Sequence, residues 1–339
     1  MSYRSVFIVI LFMSFHMTGQ QKNILKINGL SFVASNKIPN TKDVLSVKNM
    51  HANWVALMPF GFMPSATKPD LSFNNKWQWK GETAEGIQLT SDLFHQHHIK
   101  RMLKPQIWVK KGVFTGFIEM KSERDWKSFE QNYRDFLVFY ANLAEKESID
   151  MLCIGTELKL FVKHRPIFWE QLIIEIKKVY KGQLTYAANW DSYKTPTFWD
   201  ALDCIGIDAY FPLSTKQTPE VNELLRKWLP VKNELKSFSK KHQKKIIFTE
   251  YGYRSADYST KEPWVSDTPS PHNPTAQINA LKALYTTFWD EQWFEGGFLW
   301  KWFDKHETSG GLNHHGYTVQ NKNSEHFVRE FYKSNQSYE

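Results

Sequence analysis

Short apolar runs alternate with longer segments of mixed polarity along most of the chain. This alternation is typical of repeated β–α units whose strands form a parallel sheet. Eight such runs with intervening helical segments predict a closed (β/α)8 barrel, the TIM barrel of the α/β class, as a single domain. The runs span residues 27–33, 54–60, 101–108, 151–155, 183–188, 204–208, 246–249 and 298–302.

Four of the longer segments carry apolar residues at the 3.6-residue spacing of a helix: 122–147, 168–180, 221–242 and 274–291. Pro230 predicts a break in the third, because proline lacks the amide hydrogen that an interior helical residue donates. Segments 63–85 and 256–273 are too irregular for the repeat. Both follow strands at their carboxyl ends, where barrel active sites are built.

Residues 1–20 combine Arg4 with an apolar stretch over 6–13, which predicts a secretory signal peptide followed by a barrel domain over 21–339. The stretch is too short for a stable membrane span, so we expect a secreted or periplasmic protein without stable membrane insertion after cleavage. Met17 and Gly19 match a small-x-small cleavage site poorly. An uncleaved N-terminal anchor therefore remains the alternative.

Composition narrows the classes of partner. The formal net charge is +8, but lysines are scattered among acidic residues, and no zinc-finger, RRM or Lys/Arg-run pattern occurs, which argues against nucleic acid. The 14 Trp, 14 Tyr and 25 Phe exceed what a core of this size needs, and flat aromatic faces suit stacking on pyranose rings.

Cys153 and Cys204 fall in strands that are not neighbours, which predicts buried free thiols.

Two glutamates follow apolar runs at matching positions. Glu157 follows the fourth run after one residue, Thr156, and Glu250 comes directly after the seventh. Strands four and seven of a closed barrel face one pocket, where two carboxyl groups about 5 to 5.5 Å apart suit hydrolysis with retention. Glu157 is the predicted acid/base, held protonated by its surroundings, and Glu250 the nucleophile, with Tyr210 placed to donate a hydrogen bond to it.

The segments around these glutamates resemble the mannanase-like glycoside hydrolase family 113, within the clan of (β/α)8 retaining glycosidases. The resemblance rests on Cys-Ile-Gly-Thr-Glu-Leu at 153–158 and Phe-Thr-Glu-Tyr-Gly-Tyr at 248–253, with support from segments 53–57, 104–108, 188–191 and 206–210. It implies cleavage of β-1,4-linked mannose chains without a metal or organic cofactor. Thr156 departs from the clan, where many members carry an Asn that contacts the sugar 2-hydroxyl, and Asn189 is a candidate substitute.

Further substrate-binding candidates lie at or just past the carboxyl ends of the predicted strands, and Lys104 is predicted to face the barrel interior or the pocket and to bond sugar hydroxyls. The aromatic candidates are Trp108, Trp190, Tyr210, Tyr253 and Trp300. His95, His97 and His98 lie near the opposite face of the barrel, and His314 and His315 lack a third ligand pattern, so no metal site is expected.

Three functional hypotheses remain. No GxSxG, HExxH or phosphate-binding Gly-rich loop is present, which excludes serine hydrolases, zincins and nucleotide-dependent enzymes at the level of motifs. The leading hypothesis is a retaining hydrolase of β-1,4-mannan or manno-oligosaccharides. The alternatives are a retaining hydrolase of another β-linked glycan, such as a glucan or surface polysaccharide, and a non-catalytic glycan-binding barrel.

Overall fold

The structure is a computed structural model that describes residues 25–266 and 269–335. Within these ranges eleven strands form. They are β1 (Ile27–Phe32), β2 (Trp54–Leu57), β3 (Phe60–Met63), β4 (Ser72–Phe73), β5 (Lys100–Leu103), β6 (Gln106–Val109), β7 (Met151–Thr156), β8 (Gln183–Asn189), β9 (Ile205–Asp208), β10 (Ile246–Tyr251) and β11 (Phe294–Trp302). The predicted signal peptide over residues 1–20 lies outside the described residues and stays a prediction.

Eight of the strands close into a barrel in the order β1-β11-β10-β9-β8-β7-β5-β2, and every neighbouring pair is parallel. Each predicted apolar run contains or overlaps one of these strands, so the (β/α)8 prediction is confirmed. Strands that are buried on both faces appear in the sequence as continuous apolar runs, so the barrel strands could be recognised from the sequence.

The helices of the described residues cover the outside of the barrel. They are α1 (Thr41–Asn49), α2 (Ala84–Gln96), α3 (Glu123–Lys146), α4 (Lys159–His164), α5 (Pro166–Val179), α6 (Val221–His242), α7 (Pro274–Phe288) and α8 (Asn323–Ser334). The predicted break at Pro230 is wrong, since α6 continues through it. Pro230 is exposed, and buried Trp228 and Leu235 on either side hold one continuous helical face against the core.

A second, three-stranded sheet lies beside the barrel at the carboxyl ends of β2 and β5. In it β3 pairs in parallel with β6 and antiparallel with β4. The predicted strands 54–60 and 101–108 were therefore too long. Pro59 and Pro105 interrupt them because proline donates no ladder hydrogen bond, and the chain restarts in the second sheet beyond each proline.

The core has two parts. Side chains inside the barrel include Met102, Met151 and Phe298, and a larger cluster fills the space between strands and helices. Cys153 and Cys204 belong to the inner part and are buried free thiols, as the sequence predicts. No helix in the described residues is long and apolar enough to cross a membrane.

Candidate active site

Glu157 and Glu250 lie at the carboxyl ends of β7 and β10, on the side of the barrel where the second sheet lies. The register of the sheet aligns Glu250 with Asp208 of β9, and Asp208 with Asn189 of β8. The amide of Glu157 donates to the carbonyl of Ala187 on the same strand β8, at 2.8 Å. The carboxyl ends of four adjacent strands thus place polar side chains at one rim.

Glu250 is only 8% exposed, and both of its carboxylate oxygens accept hydrogen bonds. Oε1 accepts from the Lys104 ammonium at 2.6 Å and from Gln106 Nε2 at 3.1 Å, while Oε2 accepts from the Tyr210 hydroxyl at 3.1 Å. The predicted hydrogen bond from Tyr210 is present. Three donors, one of them cationic, therefore fix the position of the Glu250 carboxyl group.

Lys104 and Asp208 form a buried ion pair beneath Glu250. The ammonium lies 3.1 Å from Oδ1 and 3.3 Å from Oδ2 of Asp208, and the Thr249 hydroxyl donates to Oδ1 at 2.7 Å. Burial acts to lower the pKa of Lys104, but the carboxylates of Asp208 and Glu250 outweigh it and raise the pKa. The lysine is therefore a permanent cation between two acids.

The same burial affects Asp208 in the opposite sense. It raises the pKa of Asp208 to about 7, assisted by the neighbouring Glu250 carboxylate and opposed by the Lys104 charge and the Thr249 hydrogen bond. Removing Lys104 would take away the charge that opposes this rise, so the pKa of Asp208 would rise further.

Glu157 has a different environment. Burial, followed by the charges of Asp208 and Glu250, raises its pKa well above the usual range, and Lys104 offsets only part of this. Its backbone lies in the left-handed region with φ 56°, a conformation that costs free energy for a residue with a Cβ. Hydrogen bonds hold it there, including one that the amide of Leu158 donates to the Tyr186 hydroxyl oxygen at 2.8 Å.

The aromatic candidates divide by exposure. Trp108 is 51% exposed, whereas Trp190 and Trp300 are partly buried. Trp190 stacks on Trp264, with ring centroids 5.2 Å apart and an interplanar angle of 21°, so one of its faces is covered. The Trp300–Lys301 peptide bond is cis.

Three candidates occupy places that differ from the predicted ones. Tyr253 is 1% exposed within the hydrophobic core, so its ring cannot form the floor of a sugar subsite. Tyr210 is buried and offers its hydroxyl to Glu250, not a ring face to solvent. Lys104 is fully buried and bonded to carboxylates, so the predicted contact with sugar hydroxyls is wrong. Asn189 is partly buried, and its Oδ1 accepts from the amide of Trp190 at 2.9 Å.

A family model for Glycoside Hydrolase Family 113 matches residues 36–322, most of the chain. The chain belongs to glycoside hydrolase family 113. It is therefore a glycoside hydrolase, as the resemblance of its strand-end motifs implied. No curated protein matches it.

Solved structures share the fold of this family 113 chain. A GH113 β-mannanase, AaManA from Alicyclobacillus acidocaldarius in complex with ManMIm, is 24% identical with a TM-score of 0.82, covering 92% of this chain and 98% of that one. A complex structure of a GH113 β-1,4-mannanase is 21% identical with a TM-score of 0.78, covering 91% and 99%. A β-glucuronidase from Faecalibacterium prausnitzii is 15% identical with a TM-score of 0.61, covering 93% and 50%.

Sequence reasoning about this family 113 hydrolase missed the role of Asp208. The signal was present, because Asp208 ends an apolar run at the same edge of the barrel as the two glutamates. Among the described residues no group of three His, Cys, Asp or Glu side chains is arranged to hold a metal ion, and this includes the histidines considered above. His95 ends α2 and is exposed near the amino end of β5, on the face opposite the glutamates, as predicted.

Proposed function

We propose that this chain hydrolyses β-1,4-mannosidic linkages with retention of configuration, with Glu157 as acid/base and Glu250 as nucleophile. The observation that carries the proposal is the contrast in environment between two carboxyl groups at matching strand ends. Glu250 accepts three hydrogen bonds, one from a buried ammonium, while burial and neighbouring carboxylates raise the pKa of Glu157. A retaining glycosidase needs one carboxylate and one carboxylic acid at the same pH.

In the first step the Glu250 carboxylate attacks the anomeric carbon and forms a glycosyl ester, while the bond to the leaving oxygen breaks and Glu157 gives that oxygen its proton. In the second step the Glu157 carboxylate takes a proton from water, whose oxygen displaces Glu250 from the anomeric carbon. The raised pKa of Glu157 favours its proton-donor form in the resting enzyme.

Lys104 and Tyr210 are positioning residues in this scheme. Their donors hold the Glu250 carboxylate in one orientation, so little reorganisation is needed when it attacks. The ammonium also places a positive charge between the buried carboxyl groups of Glu250 and Asp208. A non-catalytic glycan-binding barrel would have no use for a buried cation beneath one of two carboxyl groups.

The proposal of mannan as the substrate rests on similar solved structures. Two solved family 113 structures are described as β-mannanase and β-1,4-mannanase, and mannan is proposed here on that ground. Thr156 favours a second candidate, a different β-linked glycan. It stands directly before the acid/base, where many members of the clan carry an Asn for the sugar 2-hydroxyl, and mannose and glucose differ at that carbon.

The test is hydrolysis of mannohexaose, cellohexaose and xylohexaose by the purified chain, with NMR detection of the first anomer formed. Cleavage of mannohexaose with the β-anomer as first product supports the proposal. Glu157→Gln and Glu250→Gln are expected to lower kcat by about 10² to 10⁴-fold or more. Glu170→Gln is the matched control, because Glu170 is exposed on α5. Release of the α-anomer first would contradict retention, and preference for another hexaose would move the specificity to the second candidate.

A further inference from the structure

The second sheet presents an aromatic face beside the catalytic carboxylates. In β3 and β6 the exposed and buried positions alternate, so Phe60 and Phe62 share a face with Gln106 and Trp108. The parallel register aligns Phe60 with Gln106 and Phe62 with Trp108. Because β-strand side chains alternate between faces, the two rings of β3 and the ring of Trp108 form one surface.

Two further tryptophans extend this surface from the irregular segment that follows β4. Trp77 is 62% exposed and Trp79 is 55% exposed, yet the residue between them is anchored. Gln78 donates from Nε2 to the carbonyl of Phe60 at 3.0 Å and accepts from the amide of Asn75 at 2.8 Å. Trp77 packs edge-on against Phe62, with centroids 4.7 Å apart.

These rings line a cleft of about 590 Å³, in the range of ligand-binding clefts. Its opposite side is formed by residues that follow β1 and end β11. We call it the aromatic cleft and define it by Phe62, Trp77, Trp79, Trp108, Trp300 and Phe303. Clustered aromatic surface in contact with water is unfavourable for a free protein and typically marks a binding site.

The aromatic cleft lies beside the proposed catalytic site. Gln106 donates to Glu250 Oε1 at 3.1 Å, and Trp108 lies two residues further on the same face of β6, about 6 to 7 Å along the strand. Trp300 lies two residues before the end of β11, the strand next to β10, and its carbonyl packs against Gly252, two residues after Glu250. A chain bound at Glu250 can therefore extend over Trp108 towards Trp77 and Trp79.

The charge of the cleft selects among ligands. Glu82 and Lys301 are the ionisable side chains among the described residues that line it, one of each sign. The Lys301 ammonium lies over the rings of Trp300 and Phe303, at 5.3 and 5.2 Å from their centroids. A surface of rings with balanced charge does not suit a polyanion, whereas the C–H faces of neutral pyranose rings match it.

We propose that the aromatic cleft binds a neutral β-linked polysaccharide chain at sugar units remote from the bond that is cleaved, and that it makes the enzyme selective for long chains. Trp77 and Trp79 form the distal end of this extended site. The assignment rests on the proposed glycoside hydrolysis at Glu157 and Glu250, but binding in the cleft is measurable without turnover.

The experiment measures binding by calorimetry in the Glu250→Gln background, with the trioses and hexaoses of mannose, glucose and xylose, and with hexagalacturonate as an anionic probe. At least one neutral hexaose is expected to bind more tightly than its triose. Trp77→Ala/Trp79→Ala should weaken hexaose binding by about 100-fold, about tenfold for each ring, and triose binding by at most about twofold. Trp77→Phe/Trp79→Phe should restore most of the hexaose affinity. Ile174→Ala, which removes an exposed apolar side chain from α5, should change neither.

The outcomes separate this inference from the proposed function. Hexaose binding that is unchanged in the double alanine variant overturns the inference, even if the parent chain cleaves mannohexaose. Tighter binding of hexagalacturonate than of every neutral hexaose, or no binding of any hexaose, overturns it as well. Tryptophan-dependent binding of mannohexaose that the parent chain does not cleave supports the inference and contradicts the proposed function.

Discussion

The carboxyl ends of β7 and β10 carry the same residue type in equivalent positions, but the two surroundings differ. Glu250 accepts hydrogen bonds from Lys104, Gln106 and Tyr210. Burial, followed by the charges of Asp208 and Glu250, raises the pKa of Glu157 well above the usual range. The same side-chain type is thus placed in two environments, one rich in hydrogen-bond donors and one that raises the carboxyl pKa.

One buried cation contacts Glu250 directly and contributes to this difference. The Lys104 ammonium lies 2.6 Å from Glu250 Oε1 and 3.1 Å from Asp208 Oδ1. The ammonium is paired with these two acids. Its charge offsets only part of what raises the pKa of Glu157. Variants that alter either environment test whether the division of roles depends on it.

The largest effect is expected with a substrate whose leaving group departs without a proton. Such a substrate separates the role of Glu157 as acid from the role of Glu250 as nucleophile. An aryl glycoside with an acidic phenol needs no proton to depart, so Glu157→Gln should retain its first step while its kcat on mannohexaose falls about 10² to 10⁴-fold. Glu250→Gln should be inactive on both substrates, because no leaving group replaces the nucleophile. Burst kinetics with the aryl glycoside measure the first step directly.

The opposite result would reverse the comparison. If Glu250→Gln retained the burst and Glu157→Gln lost it, then Glu157 would be the nucleophile and Glu250 the acid. Equal losses in both variants on the aryl substrate would contradict the division of roles altogether.

Lys104→Met is expected to have the next largest effect. It leaves Asp208 and Glu250 as buried acids without a cation, which should cost about 3 to 5 kcal/mol of unfolding free energy. Because the Lys104 charge opposes the rise in the pKa of Asp208, its loss should raise that pKa further and move the acidic limb of the kcat/KM profile to higher pH. Gln106→Met is the milder control, because it removes one neutral donor from Glu250 and leaves the ion pair intact.

A purely structural lysine would give another pattern. Lys104→Met would then lower the free energy of unfolding while the folded fraction kept the parental pH profile. Should the Met variant fail to fold, Gln106→Met still tests the comparison, since it should lower kcat/KM by about tenfold through one hydrogen bond to a charged group.

The barrel could be predicted because its strands are buried on both faces and read as apolar runs. The second sheet could not be predicted, because β3 and β6 are four-residue strands that follow the barrel strands almost directly. In the sequence each forms one apolar run with the barrel strand before it. Pro59 and Pro105 were the available signals. Pro230 misled in the other direction, since tertiary packing of α6 overrides the local preference for a break.

Within the site, carboxylates at strand ends were predictable from position alone. The pairing of Lys104 with Asp208 was not, because it joins β9 to the residue after β5 across the barrel and depends on strand order and register. Tyr253 was misplaced for a related reason. It lies two residues past β10, where the two-residue alternation of a strand no longer fixes side-chain direction.

A smaller effect concerns stability and pH. The raised pKa of Glu157 means that its folded environment favours the protonated form, whereas the unfolded carboxyl titrates near about 4.3. The stability contributed by the protonated form is complete below that pH and is lost as the pH rises through the raised folded value. Glu157→Gln should therefore match the parent at pH 4 and exceed its Tm at pH 8, by about 2 °C or more. Glu170→Gln should show no such pH-dependent gap; a lower Tm than the parent at pH 8 would contradict the assigned environment.

The smallest effect is expected from the hydroxyl beside Glu157. Thr156 Oγ1 is buried and has no hydrogen-bond partner among the described residues, so in the free protein it contributes nothing that Val would lack. Thr156→Val should thus leave the free energy of unfolding unchanged or slightly higher. If the hydroxyl completes its hydrogen bond with the bound sugar, kcat/KM should fall by about two- to tenfold.

Thr185→Val on neighbouring β8 is the matched control, because its hydroxyl donates to the carbonyl of Cys204 at 3.2 Å and its loss should lower stability without lowering kcat/KM. A Thr156→Val variant with full kcat/KM would show that this hydroxyl does not meet the substrate, and would leave Asn189 as the candidate for the 2-hydroxyl contact.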